Sequence, residues 1–573
     1  MEYHLSVGWG GSDAVSIITI IITALVLFMS VLVLVRRILG RTLRFRRRWW
    51  EPVVVSSKLK KIEDGNNKRV GDDDDLSSGG SRRRIRVEIP KGSVGWPLIG
   101  ETLDFIACGY SSRPVSFMEK RKSQYGDVFK THLLGKPVIV STDPEVNKAV
   151  LLNHGNIFTP SYPKSITELF GETSILNIDG AAHRRLHACI GRFLRSPSLK
   201  ARITRDIEDA VKVSLETWSG KSVVYVQDET KEVTFEILVK VLMSIGPGED
   251  MDFLKREYRE FIKGLICVPI KLPGTQLYKS LKAKKRLLEM VRRIVEKRKS
   301  SMEHQPTTNT SGEQTDTTVD AIEMLLRDYA RTSNIDDPSN GDGGDDYQYH
   351  STSNNQLFDQ RLMLDFISGN IIEMMIPGEE SVPMVMTLVV KFLGENPLAL
   401  AKLTEENMEL KRQKIRLSAA KYDWTDYLSL RFTQNVISET LRMTNIINAV
   451  WRQANKDFEI KGYLIPKGWC VLASFTSIHM DEHNYENPYD FDPWRWENKA
   501  AAISSNTFTP FGGGQRLCPG ADLARLEIAI FLHHLVTTYR WVGETDEIVY
   551  FPTVKMKKKL PVIVTPLPDC LWS

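Results

Sequence analysis

Cys518 stands in the run Phe511-Gly512-Gly513-Gly514-Gln515-Arg516-Leu517-Cys518-Pro519-Gly520, surrounded by residue types that make a thiol useful. Glycines let a backbone pass close to a flat ligand. An apolar helical pattern follows, with Leu523, Leu526 and Ile530 on one face. Cys518 therefore falls just before a helix start, where the positive dipole end and free N–H groups stabilise a thiolate that can bind a metal. Pro519 is acceptable in a first turn, and Arg516 offers a fixed cation to any acid the flat ligand carries. A Gly-rich loop with one Cys is commonly structural. The pattern Phe-x-x-Gly-x-Arg-x-Cys-x-Gly, however, fixes five positions at once, and with ordinary composition its chance occurrence in this length is on the order of one in several thousand.

Two further constellations precede it. Glu439-Thr440-Leu441-Arg442 lies in the helical window Phe432 to Met443, so acid and base share a face at i and i+3. Glu289 with Arg292 and Glu409 with Arg412 have the same spacing, which by itself marks a solvated helix face. The other is Pro377-Gly378-Glu379-Glu380-Ser381, inside the mostly apolar helical stretch Leu362 to Leu393. Proline and glycine in mid-helix open the hydrogen-bond ladder and admit water; the plainer reading is a kinked core helix with a buried hydroxyl.

Taken with the Cys518 loop, these segments resemble the cytochrome P450 haem-thiolate monooxygenases. The resemblance makes Cys518 the axial ligand of a haem b iron, with Phe511 and Arg516 in the same binding loop. It implies that Glu439, Arg442 and Arg495, the last in Phe491-Asp492-Pro493-Trp494-Arg495-Trp496, form a buried network that fixes this loop. It puts dioxygen at the Pro377 to Ser381 kink, with Glu380 and Ser381 holding the water chain that delivers protons. Two departures stand out: Pro377 replaces the family's small residue and Ser381 its Thr. Arg452 corresponds to a propionate-binding Arg, and where the family has Trp-x-x-x-Arg this sequence has His183 and His187, both able to donate to a propionate. An axial thiolate favours cleavage of the O–O bond. No Gly-x-Gly-x-x-Gly follows a strand to bind NADPH or flavin, so electrons from NADPH must arrive through a separate partner, NADPH-cytochrome P450 reductase. Lys555, Lys557, Lys558 and Lys559 are candidate contacts for an acidic partner.

The elements that must position these residues are helix-dominated. Leu199 to Leu215 and Tyr278 to Lys299 read as amphipathic helix, while Pro137 to Ser141 and Phe458 to Ile465 read as strands. The expected fold class is mainly α with small β-sheets, the cytochrome P450 fold. Ser300 to Thr318 and Ser333 to Asn355 are rich in Ser, Thr, Asn, Asp and Gly and read as mobile loops around a helical window at Val319 to Tyr329, an insert spanning about 300 to 355.

Across all 573 residues, 76 Lys plus Arg stand against 71 Asp plus Glu, a net charge of +5 that speaks against general nucleic-acid binding. Six Cys without paired CxxC spacing speak against a disulfide or structural-zinc scaffold. The averages hide an uneven start. Ala14 to Val35 carries no charge and is long enough to cross a bilayer, and Arg36, Arg37, Arg41, Arg44, Arg46, Arg47 and Arg48 follow it. This predicts one transmembrane anchor within residues 1–50, with everything after it cytoplasmic at the endoplasmic reticulum membrane. A cleaved signal would need its basic cluster in front. Residues 51–90 read as a polar linker, and 91–573 as a single haem domain.

Gly95 to Thr102, Pro273 to Leu277, Met375 to Gly378 and Phe508 to Arg516 narrow the resemblance to the plant steroid hydroxylases of brassinosteroid biosynthesis. It is greatest to those that hydroxylate 22-hydroxylated steroids such as 3-epi-6-deoxocathasterone at position C-23, in the steroid's tail. Ile376, Ile447 and Val450 are the pocket candidates. The alternatives are a hydroxylase of another sterol or triterpenoid, an isomerase of hydroperoxides, and a membrane-anchored haem protein without turnover.

Overall fold

The computed structural model describes residues 87–304, 320–333, 356–417, 421–499 and 506–568, apart from Leu98, His154, Asn156 and Pro552. The expected anchor, its arginine flank, the linker up to residue 86 and most of both Ser- and Asn-rich stretches lie outside these residues. Arg84–Ser573 divide off as one compact unit. Among the described residues no single helix is long and apolar enough to cross a membrane.

The main sheet is built from β1 (Val128–Leu133), β2 (Lys136–Ser141), β3 (Phe158–Pro160), β4 (Ala449–Ala454) and β5 (Cys470–Ser474), in the order β1-β2-β5-β4-β3. Its β-branched runs are buried on both faces: Val138, Ile139, Val140, Val471 and Leu472 are fully enclosed. Only the β2–β5 pair is parallel, with Val138 opposite Cys470. β4 is held on both sides, Arg452 facing Val471 of β5 and Pro160 of β3. The strand read as one run over Phe458 to Ile465 is a hairpin instead, Phe458–Ile460 pairing with Tyr463–Ile465. Lys461 and Gly462 both turn through positive φ, 50° and 80°, the two-residue turn that matches strand twist.

Six helices carry the residues of interest: α1 (Gly180–Arg195), α2 (Val226–Met243), α3 (Gln356–Met374), α4 (Val382–Glu395), α5 (Arg431–Met443) and α6 (Ala521–Val536). Each start has a local cause. Asp179 accepts the N–H of Gly180 at 2.8 Å to begin α1. Glu406, from the helix Pro397–Arg416, accepts the N–H groups of Phe432 and Thr433 at 2.8 Å each to begin α5. The helix read from Tyr278 to Lys299 runs Gln276–Glu303, and the window near Val319 is the helix Ala321–Ser333. Ser300 and Ser333 thus belong to helices rather than to the loops expected there.

α4 is the centre of the core: Val385, Met386, Leu388, Val389 and Leu393 are buried, and Phe392 stacks on Phe491 with ring centroids 5.1 Å apart. Between α3 and α4 the helix widens. Pro377 and Pro383 have no N–H, so the carbonyls of Glu373 and Glu379 lose their helical donors. Pro377–Ser381 relaxes into a π turn, and the N–H of Val382 reaches back to the Pro377 carbonyl.

Candidate active site

The Cys518 loop is shaped by short-range bonds. The Cys518 N–H donates to the Phe511 carbonyl at 3.0 Å and Gly512 N–H to the Thr509 carbonyl at 3.0 Å. Gly514 has φ 64°, and a Cβ there would stand 2.3 Å from the Leu151 carbonyl oxygen, so no other residue lets the loop lie on the helix Pro144–Leu152. The loop delivers Cys518 three residues before α6 begins. Burial pushes its thiol up, and a hydrogen bond from the Gly520 backbone pulls it back. A cation at the sulfur would reverse the first effect, because a coordinating thiol is deprotonated outright.

Behind the loop, Glu439 and Arg442 are fully buried and paired twice: Arg442 Nη2 to Oε1 at 2.8 Å and Nε to Oε2 at 2.9 Å. Arg495 Nε donates to Oε1 at 2.9 Å and Trp496 Nε1 to Oε2 at 3.0 Å. One carboxylate cannot neutralise two guanidinium groups, and the remaining donors go to carbonyls: Arg442 Nη1 to His479 and Pro488, Arg495 Nη1 to Glu486. His479 then accepts the Thr509 N–H on Nε2 at 3.0 Å, and Trp496 packs on Phe508 with ring centroids 4.5 Å apart. These contacts tie the network to the entry of the Cys518 loop.

Two buried or half-buried cations remain, Arg452 and Arg516. Arg452 is 3% exposed, donates through Nη1 to the Trp451 carbonyl at 3.0 Å, has a buried Nε without a partner and pairs with no carboxylate among the described residues. Arg516 donates through Nη1 to the carbonyls of Ile175 and Leu176, 3.2 Å each, and through Nη2 to that of Ile178. Burial, with Arg452 contributing, holds Arg516 down to about 10. Two guanidinium groups that feel one another, one with an orphaned nitrogen, fit an anionic ligand carrying carboxylates.

His183 is buried, with its ring 5.5 Å from that of His187. His187 lies 2.7 Å through Nε2 from the Leu517 carbonyl, so Nε2 carries the proton and is spent on the Cys518 loop rather than on a propionate. Phe511 lies 5.7 Å beneath the Arg525 guanidinium.

At the π turn, Pro377 is exposed although Met375 before it and Gly378 after it are buried. Gly378 is wedged against α2: a Cβ would lie 2.8 Å from Leu238 Cδ2, and Thr234 Oγ1 donates to the Gly378 carbonyl at 2.5 Å. Lys231 of α2 reaches both acids, 3.4 Å from Glu379 and 3.2 Å from Glu380. Thr553 Oγ1 donates to Glu380 Oε2 at 3.5 Å. Ser381 Oγ, half-buried, has no hydrogen-bond partner among the described residues. Ile376 and Val450 are half-buried, and Ile447 is 54% exposed in the turn before β4.

Sequence reasoning missed His479, Lys231 and Glu373. Their importance comes from partners far along the chain, and no local spacing signals it. Among the described residues no group of three or more His, Cys, Asp or Glu could hold a metal ion alone. The haem implied by the sequence fits the residues present at Cys518: one thiol, two guanidinium groups and a glycine-lined approach.

The comparisons with known proteins agree. A family model described as Cytochrome P450 matches residues 90–564. In Arabidopsis thaliana, 3-epi-6-deoxocathasterone 23-monooxygenase CYP90C1 is 62% identical over 482 residues, covering 84% of this chain and 85% of that protein. The 3-epi-6-deoxocathasterone 23-monooxygenase CYP90D1 of the same plant is 49% identical over 83% of this chain and 89% of that protein. A 3beta,22alpha-dihydroxysteroid 3-dehydrogenase, also from Arabidopsis thaliana, is 39% identical over 84% and 93%. The solved structure of retinoic acid bound cyanobacterial CYP120A1 shares the fold, with a TM-score of 0.67 at 24% identity over 84% of this chain and 100% of that chain. With a family model spanning most of its length and such relatives covering more than four-fifths of it, the chain belongs to the cytochrome P450 family.

Proposed function

We propose that this protein hydroxylates the side chain of 22-hydroxylated plant steroids at C-23, using dioxygen and electrons that NADPH-cytochrome P450 reductase passes from NADPH. The observation that carries the substrate is the 62% identity to a relative whose name specifies that reaction, repeated at 49% in a second relative so named. When bound, a haem held by the Cys518 thiolate would supply the oxygen activation that no side chain here provides.

The protein's own residues have the remaining tasks. Cys518 is assigned as the residue whose thiolate would hold the haem iron, and Arg452 and Arg516 as the cations that would hold the haem carboxylates. His183 and His187 close the same side, His187 through the Leu517 carbonyl. Glu439, Arg442 and Arg495 keep the loop still without touching the chemistry. Glu380 and Ser381 hold the proton path at the π turn, with Lys231 fixing the Glu380 carboxylate. Ile376, Ile447 and Val450 are assigned to the apolar wall that a steroid requires. Residues 14–35 are assigned as the anchor to the endoplasmic reticulum membrane, leaving the catalytic domain in the cytoplasm.

The test is turnover of 3-epi-6-deoxocathasterone by the purified protein with reductase, NADPH and dioxygen, with products identified by mass spectrometry and NMR. A C-23 alcohol is expected. No hydroxylated steroid, or oxidation confined to the ring system, would overturn the reading. Separately, Cys518→Ala is expected to abolish the thiolate-type Soret band of the reduced carbon monoxide complex, and an unchanged band refutes the ligand assignment.

A further inference from the structure

Glu373 lies in the last turn of α3, four residues before the π turn, and is 6% exposed. Its carboxylate faces the segment that leads into α1. Ser174 Oγ donates to Oε2 at 2.6 Å and itself accepts the Leu176 N–H at 3.1 Å. Asn370, one turn earlier, accepts the Ile175 N–H on Oδ1 at 3.2 Å. Lys284, from the helix Gln276–Glu303, is the opposing charge, itself donating to the Phe170 carbonyl at 2.8 Å.

The other edge of this segment faces Arg516. The carbonyls of Ile175, Leu176 and Ile178 take its donors. Residues 174–178 are therefore a strap tied to α3 through the Ser174 hydroxyl and the Ile175 N–H, closed on itself by the Asn177 and Ile178 N–H groups on the Ser174 carbonyl, and joined to Arg516 through three of its carbonyls. Because the grip on Arg516 uses carbonyls, it fixes the guanidinium without cancelling its charge. That is what a cation kept for a ligand's carboxylate requires.

We propose that Glu373 is a positioning residue that sets, through the Ser174–Ile178 strap, where the Arg516 guanidinium stands toward a carboxylate of the bound haem. The proposal rests on the haem-thiolate reading above. It adds a connection between the oxygen-side helix and the propionate side that runs through backbone rather than through a direct ion pair.

The experiment is a double-mutant cycle read by the rate at which the loaded full-length protein loses haem to an excess of apomyoglobin. Glu373→Ala is expected to accelerate loss on the order of tenfold, the scale typical of supporting residues around a metal. Glu373→Gln keeps a side-chain oxygen for the Ser174 hydroxyl and stays within about twofold of the parent. In an Arg516→Ala background, Glu373→Ala adds nothing further, because the group it positions is gone. Ser174→Ala, milder for folding, follows the same pattern at about threefold. Rates that multiply in the double variant, or a fall in thermal midpoint with haem loss unchanged, overturn the proposal. Amide hydrogen exchange at Ile175 and Leu176 separates this failure from that of the haem reading: Glu373→Ala releases the Ser174 hydroxyl that holds the Leu176 amide and loosens the adjoining Ile175 amide on Asn370 whatever the loop binds, and unchanged protection there sinks the strap alone.

Discussion

His479 accepts the backbone N–H of Thr509 on Nε2 at 3.0 Å, and that bond connects the Glu439–Arg442–Arg495 network to the loop that ends at Cys518. Arg442 fixes the same histidine from behind through its backbone carbonyl at 2.9 Å. His479→Ala removes the acceptor and leaves the Thr509 N–H buried and unpaired, a cost of about 1–3 kcal/mol. The expected result is a lower thermal midpoint and a smaller fraction of protein giving the thiolate-type carbon monoxide spectrum. Asn, which offers a carbonyl oxygen, should recover part of both.

The same residue sets a pH dependence. Burial, reinforced by the Arg442 charge, holds His479 down to about 3, and burial does the same to His534 on α6. Both lie below the unfolded value of 6.5, so the unfolded chain takes up protons first as the medium is acidified. Their contribution is intact above pH 6.5 and is lost as pH falls toward 3, by up to about 1.4 kcal/mol per pH unit for each histidine. Urea midpoints measured from pH 7 to 4.5 should fall, and His479→Gln should shallow the slope. A flat profile in the parent protein would contradict the assignment.

Glu439→Gln tests the network itself. It leaves two buried guanidinium groups facing an amide that can accept but carries no charge, and removal of one partner from a buried ion pair costs roughly 3–5 kcal/mol. Little folded, haem-containing protein should accumulate. By contrast Glu409→Gln, on an exposed pair 3.7 Å apart with the same sequence spacing, should shift stability by less than about 0.5 kcal/mol.

Lys231 is predicted to matter to coupling more than to binding. Lys231→Met frees Glu380 from its ammonium partner, and the share of NADPH electrons ending in hydroxylated steroid should drop about tenfold, equivalent to ~1.4 kcal/mol at the proton-transfer step. Hydrogen peroxide should rise in compensation, with the substrate binding constant little changed. Equal losses in binding and coupling would point to simple collapse of α2.

Arg452→Met separates cofactor binding from folding. A buried cation without a carboxylate partner stabilises nothing in the polypeptide alone, so the urea midpoint of haem-stripped protein should hold or rise. Haem loss from the loaded protein should accelerate roughly tenfold, the charge-assisted bond being worth about 1.5–3 kcal/mol. Unaltered haem loss would remove Arg452 from the site.

What the sequence made legible was local. The Cys518 loop announces itself because glycine, arginine, cysteine and proline each have a stereochemical reason at their positions. Three Glu-x-x-Arg pairs were indistinguishable by spacing, and only the later Arg495 segment singled out Glu439, which is fully buried while Glu409 stays exposed. The hairpin at Lys461-Gly462 was missed because alternation continued across it and a lysine at positive φ gives little warning. His479, Lys231 and Glu373 were illegible for another reason: His479 binds across 37 residues to Arg442 and 30 to Thr509, distances that no periodic pattern encodes.

The π turn at Pro377–Ser381 has a consequence for the length of this segment as well as its composition. Each residue of an α-helix advances by about 100°, and the wide turn absorbs one more residue than a regular helix would. α3 and α4 therefore show the molecule faces that an unbroken helix could not align: Asn370 and Glu373 meet the strap while Phe392 still lands on Phe491. Closing this turn into a regular helix of the same number of residues would rotate everything after it by that angle, turning Phe392 and the Val390 carbonyl away from Phe491 and Trp541, whereas removing one of the five residues would let the helix close with those faces kept. Pro and Ser stand where the family has a small residue and Thr, and the width of the turn keeps the two helices in register whatever their kind.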